Sequence, residues 1–466
     1  MIRAFRPQTQ EGDLTQGGIT GAILRFAAPM IACNLLQQCY NIADTLIVGR
    51  FLGAGALAAV GSTYALMVFL TSIFIGLCMG SGALFSLRFG AREYGKLRRT
   101  ASAALLLTGT VSLLLNVAVL LCAEPLVRLM RTPAELEGVM YDYLFPVSWG
   151  IVFTFLYNFY AFALRAVGNS AAPFRYLAAA VALNIALDLL FIAVFGWGVK
   201  GAAAATVLAQ ALSGIGLCRY TLRRYPVFRP AFGRRPGRGT MREIAAYASL
   251  TCIQQSVMNF GILMVQGLVN TFGTTAMAAF AAGVKIDSFA YMPVQDFGNA
   301  FSTFVAQNFG AGRTDRIRRG IRSAVLLTTG FCLAVSAAVV LSARPLTALF
   351  VPPGESEIVA AGVQYLRIEG SFYIGIGYLF LLYGFYRAVR MPGMSVVLTV
   401  LSLGTRVALA YALAAVPDIG LKGIWWSVPA GWALADLVGI LYYRRRKMLR
   451  TEPHSTPRTG PRTKEL

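Results

Sequence analysis

Long apolar runs, separated by short polar or glycine-bearing stretches, recur along almost the whole chain. An apolar run of about 20 residues crosses a bilayer as a helix. Twelve such segments are predicted, over residues 22–48, 57–85, 100–123, 139–165, 174–197, 200–219, 243–270, 276–306, 323–343, 363–386, 394–416 and 423–443. A transmembrane β-barrel would show alternating segments of about ten residues instead, and the sequence has no such pattern. The expected fold class is therefore an all-α polytopic membrane protein. Composition agrees: 57% of the 466 residues are hydrophobic and 13% charged, against about 25% charged in soluble domains. The first 20 residues are polar with no signal-peptide core, so insertion is expected to begin at the first span.

Net charge is +22, which in a soluble protein would suggest nucleic acid. Here the basic residues fall in alternate connections. "LRFGAREYGKLRR" and "GRTDRIRRGIR" carry five Lys/Arg each, while residues 219–242 and the tail from Arg444 carry eight each. In all, 32 Lys/Arg lie on one side and seven on the other. The positive-inside rule puts both termini in the cytoplasm, in an inner-membrane protein with anionic lipid rather than nucleic acid as its partner. The seven cysteines are scattered in or beside apolar runs, with no CxxC, and read as small buried hydrophobes. The single histidine, His454, lies in the polar tail. No Ser-His-Asp or Cys-His system can therefore form in the membrane, and the chain is not expected to be an enzyme or to carry a cofactor.

The two halves repeat one another. "FLGAGALAAVG" at 51–61 and "FGAREYGKLRR" at 89–99 match "TFGTTAMAAFA" at 271–281 and "FGAGRTDRIRR" at 309–319, both at an offset of 220. "LRAVGNSAAP" and "GWGVKGAAAA" match "YRAVRMPGMS" and "DIGLKGIWWS" at an offset of 222. Six plus six helices in parallel repeats is a transporter architecture, with the pathway between the halves. The expected organisation is a cytoplasmic segment over 1–20, an N-lobe over 21–220 and a basic linker over 221–242. A C-lobe over 243–443 and a disordered basic tail over 444–466 follow.

"NIADTLIVG" puts Asp44 inside an apolar run, with Tyr40 one turn earlier on the same helix face. "ALNIALDLLF" places Asn184 and Asp188 likewise in the fifth span, and Thr206 lies at similar depth in the sixth. These residues can share one pocket. Two carboxylates close together in low dielectric favour holding a proton, or a cation in its place. Asn, Thr and Tyr oxygens suit a hard cation such as Na+ at Asp44, Asp188 and Asn184, or a protonated acid. A static inter-helix network uses the same residue types. By offset, Met264, Arg406 and Ala410 replace Asp44, Asn184 and Asp188 in the second half. That half offers other polar positions, Gln254, Gln255, Asp287, Glu369 and Arg406, as a polar network or a substrate-facing surface. Pro29, inside the first span, removes one backbone hydrogen bond and favours a kink, a candidate gating point.

Over about residues 15–445 the chain resembles the multidrug and toxic compound extrusion (MATE) transporters. The resemblance is carried by Pro29, "YNIADTLIVG", the "FGAREYGKLRR" loop and its repeat, "RAVGNSAAPF" and "NIALDLLFIAVFGWGVKGAAAAT". It implies two six-helix lobes forming a V, alternating access, and export of cationic amphiphiles against inward H+ or Na+. In the DinF-like branch of that family, the implied cation site corresponds to Tyr40, Asp44, Asn158, Asn184, Asp188 and Thr206. The NorM-like branch carries a Glu in the seventh span and an Asp in the tenth. Here "CIQQSVMNF" offers glutamines and span 10 offers Glu369 near its outer end, which argues against a sodium site in the C-lobe. The expectation is a secondary multidrug antiporter in which a monomer suffices. The alternative is a lipid-linked precursor flippase of the same superfamily. No P-loop is present, so the chain carries no ATP-driven motor of its own.

Overall fold

The computed structural model of the chain describes residues 12–129, 134–231, 237–351 and 354–446. The expected polar segment over 1–11, linker residues 232–236 and the tail from 447 onward, with His454, lie outside the described residues. Within them the chain is helical and has no strand. Six helices build the first lobe: α1 (Ile19–Gly53), α2 (Gly55–Gly90), α3 (Tyr94–Leu121), α4 (Glu135–Ser148 and Ile151–Ala166), α5 (Ala171–Val194) and α6 (Gly198–Arg224). Six more build the second: α7 (Arg238–Asn270), α8 (Thr274–Gly310), α9 (Thr314–Leu341), α10 (Ser356–Gly370 and Tyr373–Ala388), α11 (Pro392–Ala414) and α12 (Leu421–Arg446).

Eleven of these are apolar and long enough to span a bilayer when each bent pair counts once. α8 is the twelfth. It has 37 residues and stands where α2 stands in the first lobe. Its window is less apolar because Asp287, Asp296, Gln307 and Asn308 are buried against protein rather than lipid.

The repeat is visible in the backbone. Gly53, between α1 and α2, has φ +85°, and Gly273, its repeat equivalent between α7 and α8, has φ +91°. Only glycine adopts this conformation freely, so both hairpins turn on one residue. Short helices Ala123–Leu129 and Ala343–Ala348 are likewise repeat equivalents. α4 and α10 are broken rather than straight, bending by 45° and 50° at equivalent positions. The sequence predicts single helices there, because the apolar run continues across each break.

Pro29 does not break α1. The only non-helical backbone between Ile19 and Gly90 is at Gly53, so the helix runs on past Pro29 in this conformation. α1 and α2 also extend past their predicted ends, since helices continue hydrogen-bonding beyond the apolar band.

The lobes meet at the end that carries the basic loops. A Cβ at Gly90 would run into the Gln307 carbonyl, and one at Gly310 into the Leu87 carbonyl. The ends of α2 and α8 therefore touch backbone to backbone. Arg88 bridges to Glu243 across the interface at 2.8 Å. Gln307 donates to the Ala166 carbonyl (2.8 Å) and accepts from Leu14 N–H (3.0 Å). Further up, Asn34 donates to Asp296 at 2.6 Å and Gln38 to the Met292 sulfur at 3.2 Å. The start of the expected linker is not free. Val227 and Phe228 are buried, and the Phe228 ring lies 5.9 Å from that of Phe85 in the first lobe.

Candidate functional site

Asp44 comes from α1 and Asp188 from α5, and their carboxyl groups are hydrogen-bond partners. Asp188 is fully buried and closes the regular part of α5. The next six residues, Leu189–Val194, form a π-helical turn, a distortion common at functional sites. One turn earlier, Asn184 is buried as well. With its amide nitrogen facing the carboxylate, it donates to Asp188 Oδ2 at 2.8 Å and accepts from the Thr206 N–H at 3.2 Å. Thr206 Oγ1 lies 3.5 Å from Tyr40 Oη. Tyr40, Asp44, Asn184, Asp188 and Thr206, expected together from the sequence, thus converge from three helices.

α4 contributes a residue that sequence reasoning missed. Tyr143 is buried; its hydroxyl reaches Thr206 and faces Asp44, Tyr40 and Asp188. A signal for it exists. "DYL" at 142–144 and "QYL" at 364–366 stand at the later of the two repeat offsets, 222, so Tyr143 and Tyr365 are repeat equivalents.

Asn158 makes no hydrogen bond to this cluster among the described residues. Its amide donates to the Thr154 carbonyl of its own helix at 2.9 Å. It lies beyond the α4 break, beside Tyr157, whose hydroxyl sits by Cys33 and the Pro173 carbonyl. Cys33 is about three turns from Asp44 along α1. The break in α4 separates its two halves, so residues of the second half do not share the depth of Tyr143.

Asp44 Oδ1 and Asp188 Oδ1 are both buried with no hydrogen-bond partner among the described residues. No cationic side chain forms an ion pair with either carboxylate there. Two adjacent carboxylates, each with a buried spare oxygen, cannot both stay ionised and uncompensated. The surrounding amide, hydroxyl and carboxylate oxygens fit either a proton between the acids or a small hard cation.

The second lobe holds a different acidic cluster. Asp287 of α8 accepts hydrogen bonds from Tyr365 (2.5 Å) and from Tyr373, both of α10. Glu369 and Arg406 face Asp287 and each other. The structure therefore joins Asp287, Glu369 and Arg406 as one network. Gln254 is buried elsewhere, in the part of α7 next to Cys252, whose backbone packs on Gly76 of α2; Gln255 is its neighbour.

The MatE family model matches residues 29–190 and again 249–412, so the two matches follow the internal repeat. The chain belongs to the MatE family. It is a multi-pass membrane transporter and not an enzyme. Among similar proteins, "Probable multidrug resistance protein YpnP" of Bacillus subtilis is 29% identical, covering 93% of this chain and 96% of that one. An "FAD transporter" of Shewanella oneidensis is 24% identical over 89% of this chain and 92% of its own. Among solved structures, a MOP superfamily transporter from Pyrococcus furiosus superposes with a TM-score of 0.89 at 23% identity, covering 96% of this chain and all of that one. A MATE in complex with MaD3S superposes at 0.87, also at 23% identity, over 95% and 99% of the two chains. These structures match the MatE fold described above.

Proposed function

We propose that the chain is a secondary multidrug antiporter of the DinF-like branch. In this reading it exports organic cations and amphiphiles while H+ or Na+ enters at Asp44 and Asp188. The observation that carries the proposal is the meeting of two carboxylates, each with a buried, unpartnered oxygen, in the first lobe. An ion bound there in one state and released in the other gives the differential affinity that alternating access requires. Each inward elementary charge gains about 2.3 kcal/mol per 100 mV of membrane potential, which can drive a cation outward. Membership of a family that includes named multidrug resistance proteins supports the substrate class. The similar FAD transporter marks that class as the part to test. Nothing in these relatives favours the flippase reading.

The lobes are closed at the basic end. With the inner-membrane topology expected from the charged loops, and both termini cytoplasmic, this is the outward-facing state of a monomer. Pro29 remains the candidate for bending α1 in the opposite state. Solved MATE structures are described in bent and straight conformations.

The test is ethidium efflux from cells expressing Asp44→Asn or Asp188→Asn at normal membrane abundance. Loss of efflux in both supports coupling at the pair; full activity in both ends the claim. Transport into liposomes under a pH gradient alone and a sodium gradient alone separates H+ from Na+.

A further inference from the structure

Arg165 and Arg387 occupy the same position of the two repeats, in "LRAVG" and "YRAVR". They line one small cavity between the lobes near the closed basic end, about 30 Å³ in volume. Other lining residues are also repeat-related: Met79 with Asn299, and Ala83 with Thr303. The cavity therefore sits on the pseudo-twofold axis that relates the lobes.

Neither guanidinium group has a carboxylate within ion-pairing distance among the described residues. Arg387 is buried, 4% exposed, and one of its amines donates to the Asn299 side-chain oxygen Oδ1 at 3.1 Å. Arg165 lies over the Phe162 ring at 5.2 Å, and its Nε is buried without a partner. Among the described residues neither arginine forms an ion pair. The acid that faces Arg165 is Asp296, whose carboxylate accepts from Asn34. Ser86 and Ser302, also on the wall, donate their hydroxyls to the Gly82 and Gly384 carbonyls. The site is thus rich in N–H donors and poor in acceptors. Two like charges in a low-dielectric interface repel strongly unless something negative lies between them.

We propose that a small monovalent anion, chloride in cells, binds in this cavity between Arg165 and Arg387 and holds the basic ends of the lobes together. The volume admits one or two waters or a halide. The methionine and alanine walls suit a weakly hydrated anion. Because one ligand shell is shared by both lobes, parting the lobes at this end dismantles the site. The anion then favours the closed state by its differential affinity alone.

The experiment is thermal unfolding of the purified full chain in detergent at constant ionic strength, with chloride exchanged for gluconate, which is too large to enter. The expected result is a saturable rise in melting temperature with chloride or bromide that gluconate does not produce. The Arg165→Gln/Arg387→Gln double variant is expected to lose that response. Equal melting in the two anions, or a saturable chloride response that survives in the double variant, overturns the proposal. Should the double variant not fold, bromide soaked into crystals of the unaltered protein decides the matter. An anomalous peak between the two guanidinium groups supports the site, and its absence there overturns it.

Discussion

Each lobe places an acidic cluster against the same tyrosine, Tyr143 in the first and Tyr365 in the second, and then completes it differently. In the first lobe Asp44 and Asp188 meet only neutral groups, and each keeps an oxygen without a partner. In the second, Asp287 takes hydrogen bonds from two phenols, and it and Glu369 face Arg406. The key exchange is at one repeat position: Asn184 in the first lobe, Arg406 in the second. An arginine supplies a permanent positive charge beside the two acids it faces, although Glu369 Oε2, like the spare oxygens of the first lobe, is buried without a hydrogen-bond partner among the described residues. An asparagine supplies dipoles and leaves the charge to come and go. The two lobes show how one scaffold yields an ion-exchanging site and a fixed brace.

Removing carboxylates should break this comparison most sharply. Asp44→Asn and Asp188→Asn are each expected to lower ethidium efflux by roughly tenfold or more, because the coupling ion loses its binding difference between states. Asp287→Asn should retain most of the efflux of any protein that reaches the membrane. Dye accumulation, normalised to membrane protein, measures both. The reverse ranking would move the engine to the second lobe.

Arg406→Met should act on stability before transport. It leaves Glu369 and Asp287 facing one another without the guanidinium that faces both, and removing the countercharge of two buried acids destabilises the lobe. A lower melting temperature in detergent, with efflux per folded molecule largely kept, is the expected outcome.

The tyrosine pair sharpens the same point at smaller scale. Tyr365→Phe removes a hydrogen bond to a carboxylate, a loss of about 1.5–3 kcal/mol in stability. Tyr143→Phe loses a contact to a neutral threonine and should cost about 1 kcal/mol or less. Its larger effect should be on ion dependence, a shift of roughly fivefold in the half-saturating H+ or Na+ concentration. Melting curves and ion titrations of the two variants test whether the tyrosines have parted roles.

Much of this was legible in the residues. Apolar runs located twelve helices, and the two near-constant repeat offsets anticipated both lobes. Asp44, Asn184, Asp188, Tyr40 and Thr206 were found because polar groups in hydrocarbon need one another, and helical spacing says which can meet. The breaks in α4 and α10 were not legible, since hydropathy is blind to a bend inside an apolar run. The tyrosines were overlooked because a phenol is ordinary in an apolar segment until its repeat partner is noticed. The buried acids of α8 look like defects in a span until the surrounding helices are present to satisfy them.

Asn158 carries the finest test, because resemblance and geometry disagree about it. The resemblance places it among the cation ligands. In the structure its amide N–H is engaged with Thr154, in the half of α4 beyond the break, next to Tyr157, whose hydroxyl lies by Cys33 rather than Asp44. No hydrogen bond joins Asn158 to Asp44, Asp188, Asn184 or Thr206 among the described residues. Asn158→Ala should therefore leave the half-saturating ion concentration within roughly twofold of its original value, since a neutral hydrogen bond is worth only about 1 kcal/mol. Any effect should appear in the apparent affinity for the dye, through altered packing on the second half of α4. A tenfold weakening of ion dependence, with dye affinity unchanged, would mean that α4 straightens in another state and carries Asn158 up to the carboxylates. The 45° bend would then be a moving part of the cycle rather than a fixed feature of the lobe.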